Sequence, residues 1–219
     1  MEVKICGIRD VDAARIAVEA GATAIGLVFA ESPRRVEPVA AARIAAALPP
    51  DVAAVAVFRY PSRDDVLRVL AAVPVDFIQA ERGAAALAAE ETGVPLLPVL
   101  HDGPGLVESL PADESGPVLL EAAGRGGRGV RPDWSRAARL AERCSLVLAG
   151  GLGPDNVADA IRRVGPAAVD VSSGVESRPG VKDAQRIRAF IREARAAGSD
   201  LSRPARFAPP VFRVVRAPR

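Results

Sequence analysis

Cys6 lies in a short apolar run, Val3 to Ile8, two positions after Lys4 and directly before Gly7. In a strand, residues two apart share a face, so the Lys4 ammonium would favour a Cys6 thiolate, which can act as general base or nucleophile. The alternative is a buried, inert thiol. Farther along, Ala149-Gly150-Gly151-Leu152 leads through Pro154 into a helix, whose N-terminal amides favour an anion. Val171-Ser172-Ser173-Gly174 adds two hydroxyls and a backbone that can approach closely. Two such loops side by side make a concave nest of donors for phosphate; the alternative is that the glycines only form tight turns. Glu121, Asp170, Glu81 and His101 are the acid–base groups. A buried carboxyl at Glu121 would keep its proton and could donate it. The competing reading pairs an exposed Glu121 with Arg125 or Arg128 in the glycine-rich stretch that follows. His101, the only histidine, stands beside Asp102 and Gly103 and reads as a turn residue, and Cys144 reads as structural.

These residues need a scaffold that gathers them from both ends of the chain. Short continuous apolar runs alternate with helix-type runs throughout. Val3–Ile8, Ala24–Phe29, Val52–Phe58, Asp76–Gln79, Pro95–Leu100, Pro117–Glu121, Leu146–Ala149 and Ala167–Val171 read as strands. Helices are expected over Val11–Ala20, Val39–Leu48, Asp64–Ala72, Ala84–Thr92, Leu106–Leu110, Asp133–Arg143, from Pro154-Asp155 to Val164, and over Asp183–Ala197. Runs without polar alternation fit parallel strands covered on both faces. Eight units of about 25 residues predict an α/β fold, a (β/α)8 TIM barrel in a single domain over residues 1–197. In such a barrel the chemistry sits at the C-terminal strand ends, where Cys6, Glu121, Gly150, Asp170 and Ser172 fall.

Residues 198–219 lie outside the repeat, with four prolines and five arginines against one acid, Asp200. Proline excludes a regular helix there. This basic Pro-rich C-terminal extension is either disordered or docked, with Phe207, Val211, Phe212, Val214 and Val215 set in an apolar groove of the barrel or of a partner subunit.

The chain is 49% hydrophobic and 26% charged, which supports a packed aliphatic core and argues against disorder. The formal net charge of +2 is carried by the extension, so the barrel has no electrostatic footprint for nucleic acid. Of 29 basic residues only Lys4 and Lys182 are lysine, a composition bias of genomic origin. Two cysteines make neither a disulfide framework nor a zinc pattern, so no metal is expected. The N-terminus has no apolar signal region, and no uncharged apolar stretch of about 18 residues is present to enter a membrane. A cytoplasmic domain is expected, with a monomer and a homodimer both open.

These motifs, in this order, resemble the phosphoribosylanthranilate isomerase family over roughly residues 3 to 196. Lys4-Ile5-Cys6-Gly7-Ile8 is similar to its KICGI signature, and Gly26-Leu27-Val28-Phe29 with Ser32-Pro33-Arg34 to its GFVF…SPR segment. Gly150-Gly151-Leu152 with Pro154 and Asn156-Val157, then Val169 to Glu176 with Pro179-Gly180 and Lys182-Asp183, resemble its closing motifs. The resemblance implies a (β/α)8 enzyme performing an Amadori rearrangement in tryptophan biosynthesis on a phosphorylated sugar, with no cofactor. It implies Cys6 as general base, Arg34 near the anthranilate carboxylate, Asp170 on the anthranilate side, and Gly150, Gly151, Ser172, Ser173 and Gly174 around the phosphate.

The chain departs from the pattern at strands three, four and six. The family's acidic LLD is Leu119-Leu120-Glu121 here, its VFVN is Val57-Phe58-Arg59-Tyr60, and its QLHG is Gln79-Ala80-Glu81-Arg82-Gly83. Glu121 therefore takes the general-acid position with one extra methylene. These changes keep open a diverged relative with another substrate, and a non-catalytic protein that binds a phosphorylated ligand.

Overall fold

A computed structural model describes residues 1–111, 116–123, 130–200 and 210–214. The strands are β1 (Glu2–Cys6), β2 (Ala24–Val28), β3 (Ala53–Val57), β4 (Phe77–Ala80), β5 (Leu96–His101), β6 (Pro117–Glu121), β7 (Ser145–Leu148) and β8 (Ala168–Val171). Between and after them run α1 (Val11–Ala20), α2 (Pro38–Ala46), α3 (Arg63–Ala72), α4 (Ala84–Thr92), α5 (Leu106–Ser109), α6 (Trp134–Ala141), α7 (Val157–Val164) and α8 (Ala184–Ser199). The strands pair in parallel in chain order, and β8 returns to β1 to close the barrel. The (β/α)8 fold expected from the alternation is the fold observed.

Local signals set many of the boundaries. Asp10 caps α1 by accepting the Ala13 N–H, and Gly21, at φ 105°, ends that helix in the left-handed conformation that glycine tolerates. Ser62 and Asp65 close a reciprocal capping box on α3. Other boundaries differ from expectation. α7 starts at Val157, not at Pro154-Asp155, because Asn156 folds back on the preceding turn. Its side chain accepts the Gly153 N–H and donates to the Gly151 carbonyl, both at 2.9 Å. His101 is the last residue of β5, not a turn residue, because its strand stays in register with β6 up to Glu121. A short hairpin, β9 (Glu176–Arg178) with β10 (Val181–Lys182), follows β8 and was not anticipated. The glycine-rich stretch 124–129, with Arg125 and Arg128, lies outside the described residues.

The barrel interior narrows in side-chain size toward the N-terminal strand ends. Ala24, Ala53 and Ala168 stand at or near the starts of β2, β3 and β8 and leave the floor shallow. Val211 and Phe212 of the extension fill it, both buried, with the Phe212 ring edge-on to Phe77 at 5.9 Å. The Glu2 carboxylate accepts the backbone N–H groups of Val211 and Phe212, which satisfies both donors at the floor. Phe207 and Val215 lie outside the described residues. Emptying a site this closely packed leaves a cavity, so Phe212→Ala is expected to cost about 3 kcal/mol and lower the melting temperature by about 6–12 °C. Thermal unfolding followed by circular dichroism checks this.

Candidate active site

The closure seam of the barrel builds the centre of the site. Lys4 on β1 sits opposite Asp170 on β8 in the strand register, and both side chains point inward. Their ion pair is 2.6 Å long, with Lys4 fully buried. Lys4 also hydrogen-bonds the Cys6 side chain, as the two-residue spacing on one strand face requires. Gly26 on β2 lies opposite Cys6, and a Cβ there would come within 2.8 Å of the sulfur and 3.0 Å of the Lys4 nitrogen. The missing side chain is what leaves room for the pair.

Burial alone would push the Lys4 ammonium toward deprotonation, but attraction to Asp170 and Cys6 outweighs it and raises its pKa. The Cys6 thiol is raised as well, chiefly by burial; Lys4 and Lys182 pull it down and Asp170 pushes it up. Lys4 does favour the thiolate, as expected from its place on the same strand face, but desolvation of the sulfur outweighs it and the net shift is upward.

A cavity of about 480 Å³ opens at the C-terminal strand ends, lined by Cys6, Arg34, Glu121, Gly150, Gly151, Asp170, Ser172 and Ser173 among others. Gly174 is not among its lining residues. It acts one layer behind, where a Cβ would lie 1.9 Å from the Leu152 carbonyl oxygen, so its absence lets the two candidate phosphate loops touch. Gly150 and Gly151 adopt φ of 88° and 61°, a conformation side chains resist. Ser172 differs from expectation: its hydroxyl donates to the Cys6 carbonyl at 3.1 Å, tying β8 to β1. Arg34 is likewise more constrained than its sequence position suggested. Its Nε and Nη2 donate to both Glu176 oxygens at 2.8 Å, which leaves Nη1 outside the fork. Lys182 donates to Glu176 and to the Ser172 carbonyl, each at 2.9 Å. Burial pushes Glu176 up, but the hydrogen bonds from Arg34 and Lys182 prevail and hold its carboxyl below the usual range. Glu176, Lys182 and Gly26 were not singled out as functional residues, since the register and hairpin that bring them here are tertiary features.

Glu121 ends β6 at the cavity wall, half-buried, and burial raises its pKa. Nearby His101 and Arg59 draw it down, and Asp170 and Glu81 push it up. The buried Gln79 side chain also lines the cavity, and its Oε1 has no hydrogen-bond partner among the described residues. Among those residues no three His, Cys, Asp or Glu side chains group to hold a metal ion. Cys144 is buried outside this cavity and donates its thiol to the Leu140 carbonyl.

Residues 3–193 match the family model of N-(5'-phosphoribosyl)anthranilate (PRA) isomerase. The chain belongs to the phosphoribosylanthranilate isomerase family. Among its relatives, the Geobacter sp. strain M21 isomerase is 44% identical over 206 residues, covering 89% of this chain and 98% of the relative. The Azotobacter vinelandii isomerase is 44% identical over 201 residues, covering 89% and 97%. The solved Thermus thermophilus phosphoribosyl anthranilate isomerase is 34% identical with a TM-score of 0.78, covering 90% of this chain and 99% of that one. Another solved family member, in complex with reduced 1-(o-carboxyphenylamino)-1-deoxyribulose 5-phosphate, is 33% identical with a TM-score of 0.76 and the same coverage. Nearly all of each relative is thus matched by about nine-tenths of this chain.

Removing one partner of a buried ion pair strands the other charge. Asp170→Asn is expected to destabilise the protein by about 3–5 kcal/mol in urea unfolding, and Lys4→Met in the same background to recover most of that loss.

Proposed function

We propose that this family member catalyses the Amadori rearrangement of N-(5-phosphoribosyl)anthranilate to 1-(2-carboxyphenylamino)-1-deoxyribulose 5-phosphate, a step of tryptophan biosynthesis. The observation that carries the reading is one cavity faced by a thiol, Cys6, and a carboxyl, Glu121, whose hold on its proton burial strengthens. Glu121 gives its proton to the furanose ring oxygen, and the ring opens to a cationic Schiff base. Cys6, as thiolate, then takes the C2′ proton to give an enolamine, which tautomerises to the ketone. The thiol proton leaves to water before this step, and the new cation next to Cys6 favours the thiolate that remains. Only protons move, so the chemistry calls for no redox cofactor.

The turns at Gly150-Gly151 and Ser172-Ser173 hold the phosphate through backbone N–H groups, with the Ser173 hydroxyl as an additional donor. Arg34 meets the anthranilate carboxylate through Nη1, since Glu176 occupies its other edge. Asp170 faces the same aglycone, and Gln79 Oε1 offers it an acceptor. The catalytic unit is the barrel over residues 1–197, and Val211 and Phe212 of the appended segment close its floor. A cytoplasmic location fits this substrate, and no helix among the described residues is long and apolar enough to cross a membrane. A second reading, a related phosphorylated substrate, draws on Arg59 and Glu81, which place charges in the cavity wall where the family pattern has others.

Purified protein is expected to turn over phosphoribosylanthranilate, followed by anthranilate fluorescence. Cys6→Ala should lower kcat by about 10²–10⁴ with circular dichroism unchanged. Glu121→Ala should do the same while Glu121→Asp retains partial activity; an inactive wild type and an inactive Glu121→Asp together favour the second reading. Gly174→Ala, which drives the two loops apart, should raise KM far more than it lowers kcat.

A further inference from the structure

The acid group has a partner outside the family pattern described above. His101 and Glu121 are direct cross-strand neighbours at the ends of β5 and β6, so their side chains leave the barrel wall on the same face. His101 Nδ1 lies 3.5 Å from Glu121 Oε1, and its Nε2 lies 3.3 Å from Glu81 Oε1, just beyond the end of β4. Both ring nitrogens therefore face carboxyl oxygens. Nδ1 is buried, and it has no hydrogen bond of good geometry among the described residues. Glu121 and Glu81 line the cavity but His101 is not among its lining residues, so the imidazole stands behind the carboxyl, away from substrate. Among the described residues, Arg59 from just beyond the end of β3 and Asp170 from β8 complete the charged groups that face Glu121.

We infer that His101, clamped by Glu81, is a positioning residue for Glu121, its Nδ1–H donating to Oε1 and leaving Oε2 to carry the proton to the sugar ring oxygen. This deepens the proposed isomerase reading and rests on it. The proton leaves Oε2 for the ring oxygen as the C1′–O bond breaks, and the carboxylate left behind gains the Nδ1–H bond at full strength. A hydrogen bond to an ionised acceptor is roughly twice as strong as one between neutral groups, so the contact tightens as charge develops. The imidazole also opposes the effect of burial on Glu121, which makes it a readier donor.

His101→Asn is expected to lower kcat about tenfold or more with KM within about twofold, and to move the limb of the kcat/KM profile set by Glu121 to higher pH by about one unit. An unmoved limb, with kcat and stability falling together, marks a merely structural histidine and overturns the inference. Because the chain has one histidine, its ring resonances are unambiguous in a ¹H–¹³C spectrum of the full-length protein without substrate. They should shift in Glu121→Gln and again in Glu81→Gln. Ring resonances indifferent to both substitutions overturn the clamp whatever the turnover. Shifts in both variants, with a wild type that does not isomerise phosphoribosylanthranilate, support the clamp and reject the substrate assignment instead.

Discussion

The Lys4–Asp170 ion pair is the constraint around which this barrel is organised. It spans β1 and β8, the strands from the two ends of the repeat, and it is fully desolvated on the lysine side. Two charges in such a place persist only when each satisfies the other, which fixes both side chains in one geometry. That geometry settles Cys6, because a strand residue two positions from Lys4 must share its face. It also accounts for Gly26, since a side chain there would collide with the sulfur and with the ammonium.

The same low-dielectric setting has opposite consequences for the two reacting groups. It raises the pKa of Glu121, which suits an acid, and that of Cys6, which does not suit a base. The order of events resolves the conflict. Ring opening comes first and places a cation beside the sulfur, which favours loss of the thiol proton to water just before the thiolate acts. Lys4 and Lys182 favour the thiolate, and the Asp170 carboxylate opposes them.

Much of this was legible in the chain itself. Eight apolar runs between helix-type segments specified the barrel, and α1, α4 and β6 begin and end where capping and turn residues indicated. The strand-end rule alone places Cys6, Glu121, Asp170 and the two glycine loops at one end of the barrel, where one cavity gathers them. His101 was misread because Asp102 and Gly103 give a turn signal locally, whereas strand pairing with β6 carries β5 one residue farther. Ser172 and Arg34 were placed correctly in the cavity wall, but their bonding partners, the Cys6 carbonyl and Glu176, come from contacts more than a hundred residues away in sequence. Such pairings leave no local trace. The docked Phe212 belongs to the same class: its apolar character was visible, but the alanine-lined floor that receives it was not.

The most direct measurement is alkylation of the native enzyme with iodoacetamide, followed by intact mass and by residual turnover in the same samples. The account predicts that modification falls on Cys6 before Cys144, that its rate rises with pH past the ordinary thiol range, and that turnover disappears in step with the first added group. A protein carrying a full equivalent of label on Cys6 and still isomerising its substrate at the unmodified rate would contradict it.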